Sequence, residues 1–346
     1  MKRLIVCMDG TWNRPDQRDR GKRKPTNVVL ISRAILPLAP DGQHQVIYYD
    51  EGVGTHWGLD RVTGGAFGQG ISKNIRDAYR FLVNNYSAGE ELFFFGFSRG
   101  AFTVRSLAGF IRKCGLLPKD HAFFIEDAYQ LYHRADVEPD SPVAAKFIED
   151  HHSRIVRIKF AGVWDTVGSL GIPVGIFRIL TRHLYQFHDV TLSRYIENAY
   201  QALAIDEKRK HYSPCLWEAQ NIPGQKLEQV WFAGVHTNIG GGYQDGGLSN
   251  VALHWMKNRA EEHGLAFDQE FLSHWHPNPM GELRDSMTLL FRFLGKRVRD
   301  IGSTANSNES VHRSAINRLN ADPPPRDGPY RPPNLVEYLQ RTKGGE

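Results

Sequence analysis

The sequence of 346 residues predicts an α/β fold in which helices flank a mostly parallel β-sheet. Short continuous apolar runs, rich in β-branched and aromatic residues, recur along the chain, as expected of strands buried on both faces. Between these runs, apolar residues recur every three or four positions, which is typical of amphipathic helices. The five predicted strands are Leu4–Met8, Gln45–Tyr49, Leu92–Phe95, Ile155–Val163 and Val230–Val235.

Two crossover helices have the clearest periodicity, one running from Ile71 to Tyr86 and one following Gly100. Helices alternating with strands place crossovers on both faces of the sheet. In such sheets the functional residues collect where the strands end, at one edge. Polar residues end every predicted strand, namely Asp9, Asp50, Ser98, Asp165 and His236.

The later part of the chain divides into a predicted insertion and a tail. We interpret residues 172–229 as an amphipathic helical insertion, or cap, between the last two strands, within a main domain of residues 1–302. Residues 303–346 are polar and rich in proline, which predicts a C-terminal extension that packs on the core or trails from it.

Composition narrows the class of protein and its compartment. The net charge of +5 is modest and its Lys and Arg residues are scattered, so a nucleic-acid partner is not expected. Cys7, Cys114 and Cys215 lie far apart, which favours a reducing compartment. The apolar run at the N-terminus is shorter than the roughly 7–15 residues of a signal-peptide core. We expect a cytoplasmic protein without a transmembrane segment, although signal-independent secretion stays open.

The stretch Gly96-Phe97-Ser98-Arg99-Gly100 joins a predicted buried strand to a predicted helix. This G-x-S-x-G pattern, in this context, predicts a nucleophile elbow, a sharp turn that projects the serine hydroxyl into a site. We expect Gly96 and Gly100 because neighbouring backbones approach too closely there for a Cβ atom. The following helix directs its N-terminus at the site, where its partial positive charge favours an oxyanion.

A serine nucleophile needs a base and an acid that orients the base, in the chain order Ser, Asp or Glu, His for this elbow. Asp165 and His236 follow two later strands, in "FAGVWDTVGSLG" and "VWFAGVHTNIGGGY". We therefore predict Ser98, Asp165 and His236 as catalytic residues of an α/β-hydrolase-like fold. The rival acids are Asp189, Asp206 and Asp245.

The loop after the first strand, Asp9-Gly10-Thr11-Trp12, is expected to reach the same site. We predict the N–H of Arg99 as the first oxyanion donor, and that of Gly10 or Thr11 as the second. Asp9 would orient this loop by accepting its amides. The residues expected to line the site are Asp9, Trp12, Gly96, Gly100 and Thr166. This chemistry calls for no metal and no cofactor.

Five ordered motifs resemble those of a bacterial and fungal α/β-hydrolase family catalogued as a domain of unknown function and related to the type VI secretion phospholipase effectors. They are "CMDGTWN", "YYDEGVGT", "GFSRGAFTVRSLAGFI", "GVWDTVGSLG" and "GVHTNIGGGY", between about Lys2 and about Tyr243. The resemblance implies the same catalytic roles for Ser98, Asp165 and His236. It also implies a lipid or phospholipid substrate.

The leading hypothesis is a serine ester hydrolase that acts on small-molecule or lipid esters through an acyl-enzyme. Peripheral contact with a membrane is compatible with this hypothesis, and the sequence does not indicate an oligomeric state. A hydrolase-fold binding or regulatory protein with a vestigial site is the main alternative. A phosphatase or nucleotide-handling enzyme built on Asp9 is a further alternative, which predicts dependence on magnesium.

Overall fold

The structure is a computed structural model that describes residues 1–10, 13–52, 64–167, 191–219, 222–304 and 308–343. Nine strands are present in these ranges: β1 Lys2–Met8, β2 Arg18–Asp19, β3 Lys22–Arg23, β4 His44–Asp50, β5 Glu91–Phe97, β6 Ile158–Trp164, β7 Asn198–Ala204, β8 Lys226–Phe232 and β9 Glu309–Val311. Seven of them form one sheet in the order β4-β1-β5-β6-β7-β8-β9, and β2 and β3 form a small separate hairpin. Every neighbouring pair in the large sheet is parallel.

Helices cover both faces of this sheet, which confirms the predicted fold class. The described helices are α1 Asn27–Ala34, α2 Gly64–Asn85, α3 Arg99–Cys114, α4 Ile125–His133, α5 Pro142–Asp150, α6 His236–Gly240, α7 Gly247–Glu262, α8 Gln269–Ser273, α9 Leu289–Leu294, α10 Arg313–Leu319 and α11 Pro333–Lys343. Two short 3₁₀ helices, Lys119–Phe124 and Lys210–Tyr212, accompany them. Within the described ranges, no helix combines the length and the apolar character needed to cross a bilayer.

Strand β5 shows why the apolar runs predicted a parallel sheet. Leu92 and Phe94 point into a core shared with α2, α3 and α4. Phe93 and Phe95 point to the other face, into a core shared with α1 and α7. Because alternate side chains of a strand face opposite sides, a strand covered by helices on both sides is apolar without interruption.

The interpretation of residues 172–229 as a helical insertion is wrong where β7 lies. All seven residues of β7 are buried, and the strand pairs with β6 and β8. Two polar side chains interrupt its apolar pattern and obscure it in the sequence: Asn198 donates to the carbonyl of Lys159, and Gln201 donates to that of Cys215. The remainder of the predicted cap includes residues 168–190, which lie outside the described residues.

Two predicted strands also have shifted bounds. Ile155 is exposed in the loop before β6. The last predicted strand, Val230–Val235, begins earlier, at Lys226, and ends at Phe232.

Residues 308–343 build a third apolar core against the end of the sheet. Strand β9 pairs with β8, and Leu335 of α11 packs with Trp231 and Leu203. The aromatic ring of Tyr330 joins this core, and its hydroxyl donates to Asp206 at 2.9 Å. The C-terminal segment therefore supports the strands whose ends carry the candidate site.

Helix α3 begins so close to β1 that its second residue has to be glycine. A Cβ atom on Gly100 would lie 2.2 Å from the carbonyl oxygen of Met8. We expect Gly100→Ala to lower the free energy of unfolding by about 1–3 kcal/mol or more, because the backbone itself would have to move. Urea denaturation measures this change.

Gly109 in the same helix provides the matched control. The nearest atom to a Cβ atom there would be the hydroxyl oxygen of Tyr132, at an ordinary contact distance of 3.5 Å. Gly109→Ala should leave the stability unchanged or raise it by up to about 1 kcal/mol, since alanine favours a helix. Equal stability of the two variants would contradict the proposed close approach.

Candidate active site

Three polar side chains meet at the edge of the sheet where the parallel strands end. Ser98 follows β5, Asp165 follows β6, and His236 begins α6 shortly after β8. The imidazole Nε2 of His236 lies 2.8 Å from Ser98 Oγ, and its Nδ1 lies 2.5 Å from Asp165 Oδ2. All three residues are buried. The structure therefore joins the three residues selected from the sequence into one hydrogen-bonded chain.

The backbone is strained at two of these residues. Ser98 has a φ of 56° and Asp165 a φ of 40°, in the left-handed region that side chains other than glycine rarely occupy. Such strain persists only where the surrounding structure imposes it, and it is frequent at functional sites. The expected need for the elbow glycines is confirmed, since a Cβ atom on Gly96 would lie 2.7 Å from the backbone N of Ala101.

The carboxylate of Asp165 is fully buried and surrounded by donors. Arg299 contacts both of its oxygens, at 2.6 and 3.0 Å, and the N–H of Ala204 donates to Oδ1 at 3.0 Å. Burial alone would raise the pKa of Asp165, but the positive charge of Arg299 and the hydrogen bond from His236 outweigh it and lower the pKa. Asp165 is therefore an anion that accepts the Nδ1–H of His236.

Burial disfavours the charged form of a side chain, so its effect on the pKa of an imidazole is opposite to its effect on that of a carboxyl group. It lowers the pKa of His236, and although the hydrogen bond to Asp165 opposes this effect, the pKa remains below its ordinary value. A neutral ring whose Nδ1–H is donated to Asp165 presents Nε2 as an acceptor toward the hydroxyl of Ser98. The rings of Phe97 and Tyr212 pack against the imidazole, with centroids 4.6 and 5.0 Å away.

A second buried ion pair holds the backbone of His236. Glu207 accepts the N–H of His236 at 3.2 Å, the hydroxyl of Ser286 at 3.0 Å and the fork of the Arg209 guanidinium at 2.8 Å on each oxygen. The Arg209 guanidinium in turn stacks on the ring of Tyr212, 3.5 Å from its centroid. The position of His236 thus depends on a polar cluster that follows β7.

Three residues that hold the candidate site were not predicted from the sequence: Arg299, Glu207 and Arg209. Glu207 and Arg209 follow the end of β7, and polar residues at a strand end are candidates for the site. They were not predicted because β7 was not among the predicted strands. No motif marks Arg299, which lies 134 residues from the carboxylate that it contacts. Proximity of that kind follows only from the folded chain.

Asp9 orients the loop after β1, as expected. Its Oδ1 accepts the N–H of Gly10 at 2.7 Å, and its Oδ2 accepts the hydroxyls of Thr26 and Tyr49 at 2.6 and 3.0 Å. Burial raises the pKa of Asp9 to about 6, although these hydrogen bonds oppose the shift. Its lone pairs are used to fix the loop, which does not favour a role as a phosphatase nucleophile.

Gly10 lies beside Ser98, the candidate nucleophile. A Cβ atom built on Gly10 would be 3.2 Å from the Cβ atom of Ser98. The expectation that its N–H is the second oxyanion donor is nevertheless wrong in this conformation, since that N–H donates to Asp9. The other candidate donor, Thr11, and the predicted lining residue Trp12 lie outside the described residues.

The remaining predicted residues have clear positions. Arg99 is the first residue of α3, directly after Ser98, and Thr166 is buried beside Asp165. Of the rival acids, Asp206 accepts the N–H of Gly234 and Asp245 accepts that of Gly247, while Asp189 lies outside the described residues. In the part of the chain that the structure describes, no group of three or more His, Cys, Asp or Glu residues could hold a metal ion.

Comparison with known proteins adds an independent finding. The family model described as "T6SS, Phospholipase effector Tle1-like, catalytic domain" matches residues 2–259. The uncharacterized protein YEL023C of Saccharomyces cerevisiae is 29% identical over 245 residues, which are 64% of this chain and 34% of that protein.

Two solved structures are also similar. An uncharacterized protein from Pseudomonas aeruginosa has 15% identity and a TM-score of 0.49, covering 81% of this chain and 49% of its own. The Tle1 effector bound to the VgrG spike of the type VI secretion system has 18% identity and a TM-score of 0.42, covering 70% of this chain and 51% of its own. The chain thus spans a third to a half of the length of these relatives.

The charge network around Asp165 gives a prediction for His236. We expect the imidazole to be neutral at pH 7, with a pKa below about 6.5. Replacing Arg299 by Met should raise that pKa, because the carboxylate becomes a stronger acceptor and a cation that opposes the imidazolium is lost. Titration of the histidine ring signals by NMR measures both effects, with His236→Gln as the assignment control.

Arg297→Met is the matched control, since this exposed arginine only approaches Asp300, at 4.0 Å. It should leave the pKa of His236 unchanged. Arg299→Lys keeps a cation beside Asp165 and should give an intermediate pKa, which provides a readout if Arg299→Met folds poorly. An unchanged His236 pKa in both Arg299 variants would contradict an influence of Arg299 on the protonation of His236.

Proposed function

The chain belongs to the family of T6SS Tle1-like phospholipase effector catalytic domains, and we therefore propose that it cleaves carboxylic ester bonds in lipids by way of an acyl-enzyme. The observation that carries this proposal is the hydrogen-bonded chain from Ser98 through His236 to Asp165. This geometry supports the roles that we propose for the three residues: Ser98 as nucleophile, His236 as general base and Asp165 as the acid that orients it.

In the proposed reaction, Ser98 Oγ attacks the ester carbonyl while its proton passes to His236 Nε2. The imidazolium that forms is stabilised by the anionic Asp165 on its other nitrogen. Collapse of the tetrahedral intermediate breaks the bond to the alcohol, and His236 returns the proton to the departing oxygen. A water molecule, deprotonated by His236 in the same way, then releases the acid and restores Ser98.

The negative charge on the substrate oxygen needs a donor that is already in place. We propose the N–H of Arg99 for this role, because it directly follows the nucleophile and opens helix α3. The 16 residues of this helix direct their dipole at the same point, which favours an anion there. A second donor from the loop after Gly10 would complete the oxyanion hole.

The carrying observation has a direct test. Ser98→Ala should reduce the hydrolysis of p-nitrophenyl esters by about 10⁴-fold or more, because the nucleophile is removed. Ser106→Ala is the matched control: this buried serine lies in helix α3, eight residues beyond Ser98, and its loss should leave activity close to wild type. Substantial hydrolysis by purified Ser98→Ala would refute the proposed role.

The pH dependence gives a second prediction. Only the neutral form of His236 can accept the serine proton, so kcat/KM should rise with pH and level off above the pKa of His236. Since burial lowers that pKa, the midpoint is expected below about 6.5. It should coincide with the NMR pKa of the ring in the free enzyme. A midpoint above neutral pH would contradict the assignment of His236 as the base.

A further inference from the structure

Helix α9 exposes two large apolar side chains beside the candidate site. Leu289 is 79% and Phe293 94% exposed, and their four-residue spacing places them on one face of the helix. Exposed apolar residues are common one at a time, but an adjacent pair at this degree of exposure indicates a contact surface. We call Leu289 and Phe293 the apolar ridge.

Cations surround the ridge. Arg292, Lys296 and Arg297 lie on the same segment and are exposed. Lys208 and Lys210 lie next to it, because the N–H of Lys210 donates to the carbonyl of Gly295 at 3.1 Å and that of Arg297 donates to Lys208 at 2.9 Å. Three carboxylates face these five cations: Asp285 lies 3.7 Å from Arg292, Asp300 lies 4.0 Å from Arg297, and Asp206 interacts electrostatically with Lys208. Among the described residues, positive charge therefore exceeds negative charge around the ridge.

The opposite face of α9 connects the ridge to His236. Phe291 lies two residues from both members of the ridge and packs edge-on against Tyr212, with centroids 5.9 Å apart. Tyr212 packs in the same manner against the imidazole of His236. The guanidinium of Arg209 lies over both aromatic rings. The ridge and its cations are thus fixed to the wall of the candidate active site.

We propose that the apolar ridge and its surrounding cations dock the protein on an anionic lipid surface. Apolar side chains that enter the acyl layer, flanked by cations at the level of the headgroups, are what such a surface binds. A second copy of this chain fits less well, because a symmetric contact through the ridge would bring the two sets of cations together. The delivery of substrate by this surface rests on the proposed function, whereas the binding itself does not.

The test is sedimentation with vesicles, in the Ser98→Ala background so that the lipid stays intact. We expect binding to vesicles of phosphatidylcholine mixed with phosphatidylglycerol, and much weaker binding to phosphatidylcholine alone. Phe293→Ser should weaken binding about tenfold or more, because an inserted aromatic ring is lost. Lys296→Glu should weaken it about fivefold or more, and added salt should weaken it further.

Phe123→Ser is the matched control, because Phe123 is also an exposed phenylalanine, at 72%, but lies on the 3₁₀ helix Lys119–Phe124. It should bind vesicles as the parent does. Absence of binding to anionic vesicles, or equal binding by the Phe293 and Phe123 variants, would overturn the proposal. Self-association that Phe293→Ser abolishes, without vesicle binding, would overturn it in favour of a second copy.

The failure of the docking surface can be told apart from the failure of the proposed function. The wild-type protein is assayed in parallel on a water-soluble ester, which needs no lipid surface. Hydrolysis of that ester without vesicle binding refutes the docking surface alone. Vesicle binding that depends on Phe293, without ester hydrolysis, upholds the docking surface and refutes the hydrolase.

Discussion

The buried carboxylate of Asp165 is the interaction on which the rest of the site depends. A carboxylate without access to water is costly unless cations and hydrogen bonds surround it. Here Arg299 supplies the cation, and His236 and the backbone of Ala204 supply further donors. The same contacts keep Asp165 ionised and fix the ring of His236, so one cluster positions two of the three side chains of the candidate site.

Arg299 links this cluster to the C-terminal segment. Its guanidinium also donates to the carbonyls of Ala204 and Tyr212, and its own carbonyl accepts from Asn334 of α11. The family match ends at residue 259. The part of the chain beyond that match therefore contributes to the candidate site. It supplies the positive charge of Arg299 beside Asp165 and the helix that carries the apolar ridge.

The sequence predicted what depends on local pattern and chain order. Continuous apolar runs identified the buried strands, and the glycines around Ser98 identified the elbow because only close backbone contact requires them there. Asp165 and His236 were then predicted as partners of Ser98, because each is a suitable residue type and follows a predicted strand. The pattern did not predict strand β7 because Asn198 and Gln201 interrupt it, and each donates its side-chain amide to a backbone carbonyl that no periodicity reveals.

The features that the sequence did not predict depend on contacts between distant parts of the chain. The distance of Arg299 from Asp165 along the chain gives no local signal, and neither does the use of the Gly10 N–H by Asp9. The exposure of Phe293 likewise depends on which face of α9 packs against Tyr212. Such features follow from tertiary packing rather than from propensity.

In the proposed mechanism, Ser98 carries the acyl group during turnover. Mass spectrometry of the protein quenched during hydrolysis of a slow ester measures this directly. We expect the peptide containing Ser98 to gain the mass of the acyl group, and the adduct to disappear once the substrate is exhausted. Turnover with an acyl group on another residue, or with no adduct under conditions in which deacylation limits the rate, would contradict this mechanism.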